Sequence, residues 1–161
     1  MLEGRDPSTV GRVIGLLLVV LQFALMGALA VVVVLSRPEQ PIGLLAPLLW
    51  AAAAGVGVAA LAANRPGNFN IRPDPRPDGQ LVTHGIYHWV RHPMYSSVLL
   101  AATGAAASAA DGWRIAAWAA VLALLAVLTV KSMFEERWMA ERHPDYIGYA
   151  HRTRRFFPGR F

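Results

Sequence analysis

Along this chain, uncharged apolar stretches alternate with short polar or proline-rich ones. Val13 to Leu35 holds no charge and one amide, Gln22, while Ile42 to Ala63 holds no charge at all. Met94 to Ala110 is shorter and rich in alanine and glycine, and Ile115 to Val130 is extended by its flanking Trp113 and Ser132. A bilayer core of about 30 Å takes roughly 20 helical residues, which the first two runs satisfy and the last two approach. No period-two alternation runs through them, so helices rather than strands are expected. Only Asp111-Gly112-Trp113-Arg114 separates the last two runs, which predicts a tight helical hairpin. The expected fold class is all-α: an integral membrane protein with about four transmembrane helices, at 13–35, 42–63, 94–110 and 114–132. A single domain is expected over 1–161. Ala51, Gly55 and Ala59 on the second run, and Gly104 and Ser108 on the third, form small-residue rows at spacing four. Such rows let helix backbones approach closely in lipid.

Charge placement orients these spans. With a cytoplasmic N-terminus, of the fifteen Lys and Arg residues only Arg37 and Arg114 fall in the outer connections. This positive-inside bias predicts cytoplasmic N- and C-termini, and a cell (inner) membrane location. The first apolar run is longer than the core of a signal peptide and lacks a small-residue cleavage site after it, so it is read as retained.

Composition agrees with lipid as the solvent. Hydrophobic residues make up 55% and charged residues 16% of the chain, against about 25% charged in soluble domains. The net charge of +5 is explained by topology, so no nucleic-acid partner is expected. With no cysteines, a disulfide framework, a thiolate metal site and a cysteine nucleophile are excluded.

Chemistry-bearing residues gather in two inward-facing segments, 64–93 and 131–161, the second expected as a cytoplasmic helical tail. The first ends in Leu81-Val82-Thr83-His84-Gly85-Ile86-Tyr87-His88-Trp89-Val90-Arg91-His92-Pro93-Met94-Tyr95 and runs into the third span. Pro93 suits the first turn of a helix. The free N–H groups of that turn, beside Arg91 and His92, would favour an anionic group. The competing reading is an interfacial belt of Tyr87, Trp89 and Tyr95 with Arg91 as a topology anchor. The second segment opens with Lys131-Ser132-Met133-Phe134-Glu135-Glu136, continuing the fourth helix. Adjacent carboxylates at a membrane boundary are costly unless used or solvated. They could hold hydroxyls or balance a cation, or simply sit in water with a Lys131–Glu135 pair at i,i+4. His84, His88 and His92 recur at spacing four, but Gly85 and Pro93 argue against one continuous helix there, and no metal site is expected.

Taken together, Gly85-Ile86-Tyr87-x-x-Val90-Arg91-His92-Pro93-Met94-Tyr95 and the later Glu135-Glu136 resemble the isoprenylcysteine carboxyl methyltransferase family. The related phospholipid N-methyltransferases look similar over the same region. The resemblance runs from Leu81 to about Pro158 and includes Pro144-Asp145-Tyr146-x-x-Tyr149 and Arg155-Phe156-Phe157-Pro158.

The resemblance implies an enzyme that transfers a methyl group from S-adenosylmethionine to a lipophilic or small membrane-associated acceptor. It implies cofactor contacts from Gln80, Leu81, Val82, Tyr87, His92, Pro93, Met94, Tyr95, Glu135 and Glu136. Lys131 and Arg91 are the substrate-side candidates. Lys131 stands where prenylcysteine-accepting members tend to carry arginine, and a lysine cannot grip a carboxylate bidentately. Ser97 replaces a glycine common after the tyrosine. The expected partners are membrane lipids and a substrate arriving from the bilayer. The other readings are phospholipid N-methyltransferase, thiol S-methyltransferase, a reductase of the sterol type, and a non-enzymatic accessory protein.

Overall fold

The computed structural model describes residues 7–36, 43–64 and 80–159. Five helices occur there: α1 (Pro7–Ser36), α2 (Leu45–Ala63), α3 (Pro93–Ser108), α4 (Asp111–Arg142) and the short α5 (Tyr146–Arg152). A 3-10 turn, Gly85–His88, precedes α3. Within α1, α2 and α4 lie three stretches long and apolar enough to cross a membrane, Val13–Ser36, Leu45–Ala63 and Asp111–Arg142. This is a helical membrane protein. α3 has 16 residues, which at about 1.5 Å per residue gives roughly 24 Å. The expected hairpin is present: α3 ends at Ser108 and α4 begins at Asp111.

Sequence marks where α3 starts, and packing selects the faces that are buried. Pro93 occupies the first turn of α3, with His92 at the N-cap. α4 buries Ala117, Val121, Leu124 and Leu128 on one face, against Leu99, Ala102 and Ala106 of α3 and Leu29 of α1. Its other faces carry exposed Ile115 and Leu122. In lipid such residues are already in an apolar solvent, so interhelical packing and hydrogen bonds, rather than transfer from water, hold the helices together.

α2 packs on α3 in a way the spacing-four row did not predict. Ala51 and Gly55 are exposed, and nothing lies within 4 Å of a side chain built at Gly55. The buried row is Ala46, Ala53 and Ala60, at spacing seven. Directional contacts decide the difference. Ser97 Oγ donates to the Ala53 carbonyl at 2.7 Å, and the Trp50 indole N–H donates to the Ala101 carbonyl at 3.2 Å. These fix the α2 face that meets α3. Gly104 does mark a close approach: a Cβ there would lie 2.6 Å from Trp50 Nε1.

The chain before α3 and the tail after α4 come together. Val90 and Arg154 form a parallel bridge, in which the Arg91 and His92 amides donate to the Arg154 and Arg155 carbonyls at 2.8 and 3.0 Å. The Arg154 amide donates to the Trp89 carbonyl at 3.1 Å. The tail is therefore helical only through α5, then extended where it pairs. Of the predicted inward-facing segment 64–93, residues 65–79 lie outside the described residues.

Candidate functional site

The corner where α3 begins meets the polar end of α4. On α4 the apolar face gives way one turn after Leu128 to Lys131, then to Glu135 and Glu136. These two carboxylates project to different partners. Glu136 accepts from Arg91 Nε (3.1 Å), from Arg155 Nε (3.1 Å) and from Arg155 Nη2 (2.8 Å). Glu135 accepts the Tyr95 hydroxyl at 2.5 Å. His92 lies between them, Nδ1 at 3.4 Å from Glu135 and Nε2 at 3.1 Å from Glu136. Its ring stacks on Tyr95, with centroids 5.3 Å apart and planes 2° from parallel. Phe156 of the tail meets both rings edge-on.

Burial alone would push the His92 imidazole down in pKa. Hydrogen bonds to Glu135 and Glu136, and their charges, outweigh burial and raise it. A carboxylate facing each nitrogen favours the imidazolium, the form that can donate on both sides.

Arg91 ties the tail down. Besides Glu136, its guanidinium donates to the Ala150 carbonyl at 2.8 Å and to the Thr153 carbonyl. Ser96 Oγ donates to the Phe156 carbonyl. The Tyr149 hydroxyl donates to the Tyr87 carbonyl at 2.7 Å. Burial pushes the Tyr149 phenol up in pKa, so it keeps that proton. The planar fork of arginine suits this multidentate role, which a lysine could not fill.

The structure thus brings His92, Tyr95, Glu135, Glu136 and Arg91 together, with Lys131 one turn along α4. Pro93 is buried in the first turn of α3 and Met94 is half-buried beside it. Gln80, Leu81 and Val82 form the coil ahead of the 3-10 turn, and Tyr87 lies in that turn. Three expectations are revised. Arg91 serves the tail and Glu136, so its guanidinium is committed within the protein. The anionic groups at the start of α3 are the chain's own Glu135 and Glu136. Lys131 does not pair with Glu135; its Nζ donates to Gln22 of α1 at 3.0 Å, because both Glu135 oxygens turn toward α3. Of the proposed aromatic belt, Trp89 is exposed but Tyr95 is internal. The 3-10 geometry of Gly85–His88 keeps His84, His88 and His92 from forming one helical row.

Sequence reading missed Arg155, Thr153, Ser96 and Gln22. Arg155-Phe156-Phe157-Pro158 carried a signal, as an aromatic and basic ending. Gln22 carried one as the lone amide in an apolar span. Beside Glu136, a cleft of about 410 Å³ opens between α4 and α5, lined by Met133, Arg137, Tyr146, Ile147 and Arg155 among others. Of the expected cofactor contacts, Glu136 lines it.

A helical membrane bundle whose His-Pro corner closes on paired glutamates is the arrangement the sequence resemblance foreshadowed. The chain belongs to the phospholipid methyltransferase family, whose model matches residues 44–146. It is also similar to the cobalt-zinc-cadmium resistance protein CzcN of Cupriavidus metallidurans, 35% identical over 83 residues. That stretch is 52% of this chain, and the match spans 38% of the relative's length.

Proposed function

We propose that this protein is an S-adenosylmethionine-dependent methyltransferase acting on a lipophilic acceptor that reaches it from the bilayer. The observation that carries the reading is the junction of Tyr95, His92, Glu135 and Glu136 where two helices and the tail meet. Membership of the phospholipid methyltransferase family supports reading that junction as a methyl-transfer site. The donor set fits the cofactor: Glu135 is an acceptor for hydroxyl or ammonium groups, and His92, Tyr95 and Phe156 offer aromatic surface. The cleft beside Glu136 falls within the roughly 300–1,000 Å³ range of small-molecule sites. Gln80, Leu81, Val82, Tyr87, Pro93 and Met94 would complete the cofactor contacts.

When bound, the cofactor supplies an electrophilic methyl group and its own leaving group, so the protein needs no nucleophile of its own. The chain's residues orient and exclude water. Arg91 and Arg155, through Glu136, hold the tail across the start of α3. Tyr95 fixes the Glu135 carboxylate in one orientation, and such alignment supplies much of the rate in a displacement. In this reading α3 is a fourth, short span, both termini are cytoplasmic, and the enzyme sits in the inner membrane with lipids as its partners.

The test is titration of purified protein in detergent with S-adenosylmethionine, followed by incubation with the methyl-labelled cofactor and total membrane lipid. Binding is expected, with label moving into a lipid fraction. Glu135→Ala and Tyr95→Ala should each weaken binding. A folded wild-type protein that does not bind the cofactor overturns the proposal.

A further inference from the structure

The cleft between α4 and α5 has an interior as well as a mouth. Tyr146 lines it and is only 5% exposed. Among the described residues the Tyr146 hydroxyl has no hydrogen-bond partner. No side-chain oxygen or nitrogen sealed inside the described structure lacks one, so this hydroxyl opens into the cleft. Burial and the charge of Glu136 push the phenol up in pKa, so it keeps its proton and offers a donor. Arg137 lines the same cleft and is exposed. Among the described residues no carboxylate comes within ion-pairing distance of it. Arg155 turns Nε and Nη2 to Glu136, and its Nη1 is uncommitted among the described residues.

Arg137, Arg155 and Tyr146 therefore offer donors to one space. Glu136 is the one carboxylate lining it, and that charge is already matched by Arg91, Arg155 and His92. The space suits an anion and gives a cation no free acceptor. Its depth is informative too. α4 has 32 residues, roughly 48 Å at about 1.5 Å per residue, against a hydrocarbon core of about 30 Å. Counted from Asp111, that core ends near Val130, so Met133 at the rim of the cleft stands at the level of lipid headgroups. Met133 and Ile147 are 44% and 57% exposed, an apolar rim around a basic interior. Of the expected cofactor contacts only Glu136 lines the cleft.

We propose that this cleft binds the phosphodiester headgroup of an anionic phospholipid, with Arg137, Arg155 and Tyr146 donating to the phosphate oxygens. This goes beyond the methyl-transfer reading, because the lipid is held and not methylated. Guanidinium forks match phosphate geometry, and basic pockets beside the ends of membrane helices hold lipid headgroups. Met133 and Ile147 meet the glycerol and the first methylenes of the chains. A zwitterionic lipid brings an ammonium that finds no free carboxylate among the lining residues, so net negative charge is selected. A lipid seated there touches both α4 and α5, and so fastens the tail to the membrane surface.

The test is calorimetric titration of the protein in nonionic detergent with dihexanoyl-phosphatidylglycerol and dihexanoyl-phosphatidylcholine, which share acyl chains and differ in headgroup charge. Heats from protein-free detergent are subtracted. Wild type should bind the phosphatidylglycerol at least about tenfold more tightly, the scale of one charge-assisted hydrogen bond. Arg137→Gln should abolish that preference, and its exposed position leaves the fold intact. Tyr146→Phe should reduce the preference at least about threefold. Arg152→Gln removes an exposed charge that does not line the cleft and should leave the preference unchanged. Inorganic phosphate at the same concentration should not displace the lipid. Equal affinities in wild type, or a preference that survives either Arg137→Gln or Tyr146→Phe unchanged, overturns the inference. So does a loss in Arg152→Gln as large as in Arg137→Gln, which would mean a diffuse basic surface. Displacement by inorganic phosphate would assign the site to the free anion and overturn the lipid.

Discussion

The two adjacent glutamates of α4 differ as much as residues a few ångströms apart can. Glu136 is gripped by two arginines and an imidazole, and all three of these partners sit in or beside the pairing of the segment before α3 with the tail. Glu135 meets a phenol and the other imidazole nitrogen. Glu136 ties the segment before α3 to the tail, while among the described residues Glu135 is bound only by the aromatic pair at the start of α3. A doubled glutamate in sequence therefore carries two separable jobs. The helix assigns them, since neighbouring positions on it point about 100° apart.

That contrast can be broken from the Glu136 side first. Glu136→Gln leaves Arg91, Arg155 and His92 without their shared counter-charge. The expected loss is about 3–5 kcal/mol, as for other buried pairs cut on one side. It is measured as a lower thermal midpoint in detergent and faster proteolysis after Arg154. A Glu136→Gln protein as stable as wild type would mean that the tail is held by its backbone bridge alone. Arg91→Lys keeps the charge but loses the fork to Ala150, Thr153 and Glu136. It should cost about 2 kcal/mol in the same melt.

The Glu135 side should respond in binding more than in stability. Tyr95→Phe removes one hydroxyl, with an expected stability change of about 1 kcal/mol and a roughly tenfold weaker cofactor affinity by calorimetry. A large stability loss with unchanged affinity would reverse the assignment of the two carboxylates.

His92 spans both sides and gives the smallest, pH-dependent effect. Its folded pKa lies above the ordinary 6.5, so its ion pairs stabilise fully below 6.5 and that contribution fades as pH rises through the raised folded value. The melting difference between wild type and His92→Gln should therefore shrink from pH 6 toward pH 9. A constant difference across that range would show that the ring does not titrate with folding.

Much of this was legible in the chain. Charge-free runs located each helix, and Pro93 marked the start of α3, but α1 starts earlier, at Pro7, and α4 runs on past the apolar stretch to Arg142. The motif around His92 and the Glu135-Glu136 pair correctly singled out residues that meet in space. The helix faces were not legible. Alanine-rich runs have many equivalent small-residue rows, and the choice of Ala46, Ala53 and Ala60 came from Trp50 and Ser97 bonding across the seam. The partner of Lys131 was hidden for a similar reason. Local spacing offered Glu135, but Gln22 lies 109 residues away.

By itself the sequence determined the solvent, the helical class and which polar residues gather at the start of α3. These follow from composition and from patterns within about 20 residues, where the thickness of the bilayer acts as a ruler. Tertiary structure alone decided which carboxylate meets the arginines and which meets Tyr95, that the tail returns to pair with Val90, and that Lys131 turns to α1. Those outcomes depend on directional hydrogen bonds between distant segments, whose geometry exists only once the helices are packed.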